Sequence, residues 1–337
     1  MIESLSAAMG LAIDDPIFWM PLVMTALVTV LLWGTVLFDG IALGAGVLMP
    51  WLSHPGRVRV LKTVKPWQRA NERWLPLLLG VSMAAFPLAW SQMIEGLYAP
   101  LLMLVASALL RSLAIRGGPN VWIYAAASMV GALGYGLLLA AYATGQRFHW
   151  SFVAFDLVMS LSMVAAFALL AVCWLLIKWP ADASISRLTR LGAAAARWTA
   201  AGMVALSFML ALANPAIFYK WTHSNHLQVA GIWWVVMLVA FVWLDRLLRS
   251  WDSTPQAHKA PQRKPLLLTA LLLSLMFAGL IYSVFPFLVL DELTIWDASA
   301  SVEALSVITV IAAVLAAVAL CVQLWDYRRL LSGPQPT

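Results

Sequence analysis

Long apolar runs separated by short polar knots make up almost the whole chain. Nine of them, at roughly 17–40, 74–95, 97–115, 121–143, 152–177, 198–214, 227–248, 266–289 and 302–326, match the ~20 residues that cross a hydrocarbon core as a helix. The pattern predicts an all-α integral membrane protein with about nine transmembrane helices. The spans form a single membrane domain over residues 1–337, with helices 1–4 in about 17–143, helices 5–8 in about 152–289 and helix 9 in about 302–326. The first run stays apolar to Leu52 through "GIALGAGVLMP". That is too long for one untilted span, so a bend is expected near Gly40–Gly46, with Pro50 and Pro55 helping to end the helix.

Charge orients the runs. Of the 21 Lys and Arg residues, 19 fall in the connections on one side, and only Arg147 and Lys220 fall on the other. Basic residues concentrate in cytoplasmic loops, which predicts an external N-terminus and a cytoplasmic C-terminus. Composition agrees: 63% of residues are hydrophobic and 11% charged, against about 25% charged in soluble domains. Eighteen tryptophans suit the headgroup level, where one edge of the indole is wet. The net charge of +6 therefore reports loops, and nucleic acid is not an expected partner. Cys173 and Cys321 both lie inside apolar runs, which excludes a disulfide framework or a thiolate metal site. The acidic start, Met1 to Pro16, lacks the basic segment of a cleaved signal peptide, so the first run is expected to persist. The stretch "SWDSTPQAHKAPQRKP" at 250–265 reads as a flexible connection.

Haem iron needs an axial His, Met or Cys projecting into the bundle. His54, His149, His223, His226 and His258 all fall in loops, and methionines in spans are first of all gap-fillers. His223 and His226 could hold a surface metal, but no third ligand is near in sequence; an exposed loop is the plainer reading. Intramembrane ionisable groups are the remaining candidates for function. Asp39, inside "FDGIALGAG", is either a carboxylate hydrogen-bonding in the bend or a proton or quinone site near the cytoplasmic face. Asn71 and Glu72 open the second run as a cap, where a carboxylate suits the helix N-terminus. Arg111 closes the third run and can snorkel to the interface. Glu95 and Asp156 lie at span ends as solvated groups, and Asp245 and Asp326 have arginines nearby for surface pairing.

Taken together, the motifs resemble subunit II of cytochrome bd-type ubiquinol oxidases, including the cyanide-insensitive branch. "FDGIALGAGVLMP" is similar to the end of that family's first span, through Asp39, Gly40, Gly44 and Gly46. "PWQRANERWL" matches the next motif at Pro66, Asn71, Glu72 and Trp74, with Pro87 following in "FP". Arg111 closes the segment similar to the third span, and Trp296 and Asp297 lie in the segment similar to the last outer loop. The resemblance implies two four-helix bundles plus one peripheral helix in a bacterial inner membrane. It also implies a partner, subunit I, which carries haems b and d and the quinol site. This chain would bind no haem or metal itself, with room for a structural quinone. The complex would oxidise ubiquinol or menaquinol and reduce oxygen to water. Two departures stand out: the family's second aspartate in the first motif is Ala42, and its Trp-Asp-Gly aspartate falls at Arg69. A guanidinium cannot relay protons as a carboxylate can.

Two rival readings use the same residues. A proton-coupled secondary transporter would use Asp39 and Glu72 as coupling carboxylates, and a structural assembly subunit would use none. Under the oxidase reading, Asp39, Arg69, Asn71 and Glu72 form a polar site at the cytoplasmic face, with Arg69 locking Glu72 or Asp39. The small residues of "GIALGAGV" and "GALGYG" are expected to let subunit I approach closely, or to serve packing within the bundle.

Overall fold

The first helix, α1 (Pro16–Leu48), runs through Gly40, Gly44 and Gly46 without interruption, so no break marks the expected bend. A single 3-10 turn, Met49–Trp51, follows it. The computed structural model describes residues 10–117, 120–145, 152–179, 185–222, 224–253 and 263–332. Next comes α2 (His54–Asn71), in a stretch whose charge alone suggests a loop. Its apolar positions recur at helical spacing: Val60, Leu61 and Val64 are buried while Arg59, Lys62 and Arg69 are exposed. That is the pattern of an amphipathic helix.

The helix expected at 74–95 is divided. It appears as α3 (Trp74–Ala85) and the start of α4 (Pro87–Arg116). Phe86 leaves helical geometry with φ −128° and ψ 59°, because the ring of Pro87 crowds the residue before it and supplies no N–H. Glu95 and Gly96, the expected turn, fall inside α4. With twelve residues, α3 is only about 18 Å long at ~1.5 Å per residue.

The remaining elements are α5 (Val121–Ala143), α6 (Val153–Lys178), α7 (Ile185–Ala213), the short α8 (Pro215–Thr222), α9 (Ser224–Ser253), α10 (Lys264–Val284), a hairpin of β1 (Phe287–Val289) and β2 (Leu293–Thr294), and α11 (Val302–Ser332). Asn120 caps α5, its side-chain oxygen accepting from the N–H groups of Trp122 and Ile123 at 3.1 Å. Asn214 does the same for α8. Eight of the described helices are long and apolar enough to cross a membrane. The protein is an all-α, multi-pass membrane protein.

The chain divides into two compact units. The first comprises residues up to Phe38, Pro66–Glu95 and everything from Val284 onward. Its core joins Met24 and Leu31 of α1, Trp74, Leu78 and Val81 of α3, and Leu305 and Ala312 of α11. The loop before α11 is tied down at several points. The Ala300 N–H donates to the Ala85 carbonyl at 2.9 Å. The Trp296 indole N–H donates to the Phe18 carbonyl at 2.9 Å, and its ring stacks on Phe18. Asp297 accepts from the Thr294 backbone and hydroxyl, which fixes the turn after β2.

The second unit comprises Asp39–Lys65 and Gly96–Ser283. Helix α6 is its axis: every residue from Phe167 to Leu176 except Ala168 is under 5% exposed, and α5 and α7 pack along it. An apolar helix buried all round is what such a sequence produces in a bundle centre. The glycine-rich segments make this packing possible. A Cβ on Gly44 would collide with the Phe167 carbonyl oxygen, and one on Gly46 with the Ser128 hydroxyl. Gly131 faces Ser107, and Gly136 faces the Ser160 backbone. Of the two expected uses, a partner interface or packing within the bundle, these glycines serve the second, because a helix can approach this closely only where the facing residue lacks a Cβ.

Candidate functional site

Two buried polar constellations stand out, one in each unit. In the second unit, Asp39 of α1 meets Arg111 of α4. Arg111 Nη1 donates to Oδ1 and Nη2 to Oδ2, each at 2.8 Å. This planar two-bond geometry is the strongest form of a carboxylate–guanidinium pair. Arg111 is 3% exposed and Asp39 17%, so the arginine does not snorkel to the interface. It is drawn inward because an unpaired carboxylate within a bundle is costly. Polar neighbours surround the pair. The Tyr124 hydroxyl donates to the Ala42 carbonyl at 3.2 Å. Ser107 lies one turn before Arg111 on α4. The Ser107 Oγ, the Tyr135 hydroxyl and Arg111 Nε are buried without a protein hydrogen-bond partner. The Tyr135 ring packs edge-on against Phe167 at 5.4 Å.

In the first unit the centre is an amide that nothing in the sequence singled out. Gln323 of α11 is 3% exposed. Its Oε1 accepts from the Trp74 indole N–H at 2.9 Å, and its Nε2 donates to Asn71 Oδ1 at 2.9 Å. Asn71 Nδ2 in turn donates to the Trp67 carbonyl at 2.9 Å, and the Trp67 indole N–H donates to the Phe38 carbonyl at 3.0 Å. The Trp74 ring lies flat against Gly34, where a Cβ would come within 2.7 Å of it. The chain of donors and acceptors joins α1, α2, α3 and α11. A signal existed: Gln323 is the one amide in the apolar run of α11, but it sits near the run's end and reads there as solvated.

Of the four residues expected to form a polar site, Asp39 belongs to the second unit and Arg69, Asn71 and Glu72 to the first. Asp39 pairs with Arg111 and not with Arg69. Arg69 is exposed on α2, on the face opposite the buried Val64 and Gln68. Asn71 and Glu72 do not cap α3: the residue at that position is Arg73, with no side-chain cap. The backbone stays near-helical there, so the Glu72 N–H reaches the Gln68 carbonyl and the first turn of α3 needs no cap. Pro66 lies inside α2, and Pro87 starts α4. Asp245 pairs with Arg249 at 2.7 Å on the surface. His54 is exposed at the start of α2. His149, His223 and His258 and the connection 254–262 lie outside the described residues, as do the side chains of His226 and Asp326. Among the described residues no three His, Cys, Asp or Glu side chains converge on a metal-sized space.

Residues 20–330 match the family model of cytochrome bd terminal oxidase subunit II. The chain belongs to that family. No curated protein sequence matches. Among solved structures, the bd oxidase from Geobacillus thermodenitrificans superposes with a TM-score of 0.68 over 93% of this chain and 98% of that one, at 15% identity; this likeness shows the fold. Subunit II membership makes the chain part of an oxidoreductase complex in the membrane, with subunit I as its counterpart. In this subunit II the family-motif residues Gly40 and Gly44 pack on α6 and Gly46 on α5, while Asp39 pairs with Arg111. Trp74 and Asn71 belong to the second constellation, and Trp296 and Asp297 brace the loop before α11.

Proposed function

We propose that this chain is the haem-free second subunit of a bd-type quinol:oxygen oxidoreductase of aerobic respiration, and that its task is to hold the haem-bearing subunit I in working form. Haems b and d and the quinol site belong to subunit I, and electrons pass from ubiquinol or menaquinol to oxygen there. The chain acts as one membrane domain in a bacterial inner membrane, N-terminus periplasmic and C-terminus cytoplasmic.

The observation that carries the reading is the state of Asp39. This intramembrane carboxylate has both oxygens held by Arg111, a guanidinium that keeps its proton at any physiological pH. Such a pair fixes two helices. It is poorly suited to a coupling carboxylate, which must exchange its proton in each transport cycle, so the transporter reading loses its first residue. The test is to dissociate the purified complex, separate the subunits, and record reduced-minus-oxidised spectra of each. The b- and d-type bands should travel with subunit I. A stoichiometric haem band on this chain would overturn the proposal.

A further inference from the structure

We propose that the face formed by α7, α9 and α10 carries a built site for one anionic glycerophospholipid, its acyl chain in a slot between these helices and its phosphate at Lys220. Two cavities of about 110 and 180 Å³ both touch Met203, Trp234 and Met237, so they lie end to end along one slot with these side chains between them. Along α10 its lining runs from Thr269 to Ser283, about 21 Å at ~1.5 Å per residue. A single leaflet of a ~30 Å hydrocarbon core is about 15 Å deep. The lining is therefore about 6 Å longer than one leaflet is deep, and it opens sideways: Val204, Trp234 and Leu238 line it and are exposed.

Its two ends differ in chemistry. The far end is lined by Leu169, Leu244 and Leu272, and the Thr199 and Thr269 hydroxyls there donate to carbonyls of their own helices, which leaves an apolar floor. The near end carries Ser207, Trp221 and Ser283. The Trp221 indole N–H donates to the Ser283 hydroxyl at 2.9 Å, which keeps the tryptophan upright at the mouth. Beside it, Lys220 Nζ donates to the Tyr282 carbonyl at 2.6 Å and lies 4.4 Å from the Tyr282 ring centre. Lys220 belongs to α8, which lies outside the eight membrane spans. Tryptophan, tyrosine and lysine together mark headgroup depth.

Trp221, Ser207 and Ser283 line the near end, with Lys220 adjoining Trp221 on α8, and the change from these groups to an apolar floor is that of an amphiphile with a charged head. The sign is set by Lys220: residues 185–244 and 263–284, which supply α7, α8, most of α9 and α10, contain no Asp or Glu. Lys220 is the formal charge these helices place at this end, the next acids in sequence being Asp291 and Glu292 beyond α10, and the half-buried ammonium is pushed below the usual lysine value by loss of water. A phosphate diester there restores the balance. A neutral quinone or a zwitterionic lipid gains the slot but little or none of the net charge.

The experiment uses the intact two-subunit complex, examined by native mass spectrometry after delipidation and titration with dioleoyl phosphatidylglycerol or dioleoyl phosphatidylethanolamine. Wild type and Lys220→Arg should retain one phosphatidylglycerol per complex in preference to phosphatidylethanolamine. Lys220→Gln should weaken that binding about fivefold, the effect of one basic residue at an anionic surface. Gly279→Leu should abolish it. Gly279 lines the slot, and a Cβ there meets only Trp233 Nε1 at 3.5 Å, so the longer side chain enters the cavity. Haem content serves as the folding control; if Gly279→Leu lowers it, the Lys220 variants decide. Equal binding of both lipids with no effect of Lys220→Gln would overturn the proposal. So would a quinone retained in the slot, or undiminished lipid in a well-assembled Gly279→Leu complex.

Discussion

Arg111 and Asp39 meet through two parallel hydrogen bonds of 2.8 Å, although 72 positions separate them in sequence. The pair joins α1 to α4 inside the second unit, and its members are unequal: the arginine is the more deeply buried. Removing the acid therefore strands the costlier charge.

Asp39→Asn should destabilise the complex by about 3–5 kcal/mol, the cost of breaking a buried pair from one side. Haem content per unit of membrane protein should fall, while turnover per remaining haem changes little. The double variant Asp39→Asn with Arg111→Leu should recover part of the loss, since it leaves no unpaired charge. Haem spectra and quinol-dependent oxygen uptake on the same membranes separate the two effects. Full haem content with abolished turnover in Asp39→Asn would make the carboxylate a proton carrier instead.

Gln323→Leu should cost about 1–3 kcal/mol for each group left unsatisfied, the Trp74 indole N–H and the Asn71 amide oxygen. The thermal unfolding midpoint of the purified complex should drop. Asn71→Leu combined with Gln323→Leu should cost less than the sum of the two single changes, because they share one bond.

Arg69→Asp restores a carboxylate at the position where the family carries one. Arg69 is exposed and Asp39 already has its partner, so assembly and haem content should stay within about 1 kcal/mol of wild type. A large loss of haem would revive Arg69 as an electrostatic lock.

Gly44→Ala should prevent assembly or sharply reduce it, because its methyl group meets the fixed backbone of α6 at Phe167; overpacking of this kind costs about 1–3 kcal/mol or more. Gly80→Ala is the matched control. Nothing lies within 4 Å of a Cβ there, and the helix should if anything gain stability. Haem content in membranes reports both.

The helical, membrane-spanning character was legible because hydropathy averages over twenty residues and needs no partner. The break at Phe86 was not, because Pro87 lies inside an apolar run and a hydropathy window does not register a missing N–H. The presence of Asp39 and Arg111 near the ends of their runs was visible, and their pairing was not: sequence placed Arg69 equally near. Glycines were legible as sites of close approach, but not whether subunit I or a helix of this chain comes close, since spacing says how near another helix can come and not which one. Gln323 shows the limit most clearly. A single amide in an apolar run has no pattern of its own, and only the arrival of Trp74 and Asn71 gives it a role.

The first unit takes its helices from both ends of the chain, and this orders events during synthesis. Trp74 and Asn71 leave the ribosome about 250 residues before Gln323. At ~5–20 residues per second that is a wait of roughly ten to fifty seconds. Over that interval α3 lacks the helix that covers its tryptophan, while everything needed for the second unit emerges by Ser283. The second unit can therefore mature first, and the first closes only when α11 inserts. A nascent chain stalled before residue 302 would hold an unclosed first unit, a natural substrate for membrane chaperones and quality-control proteases.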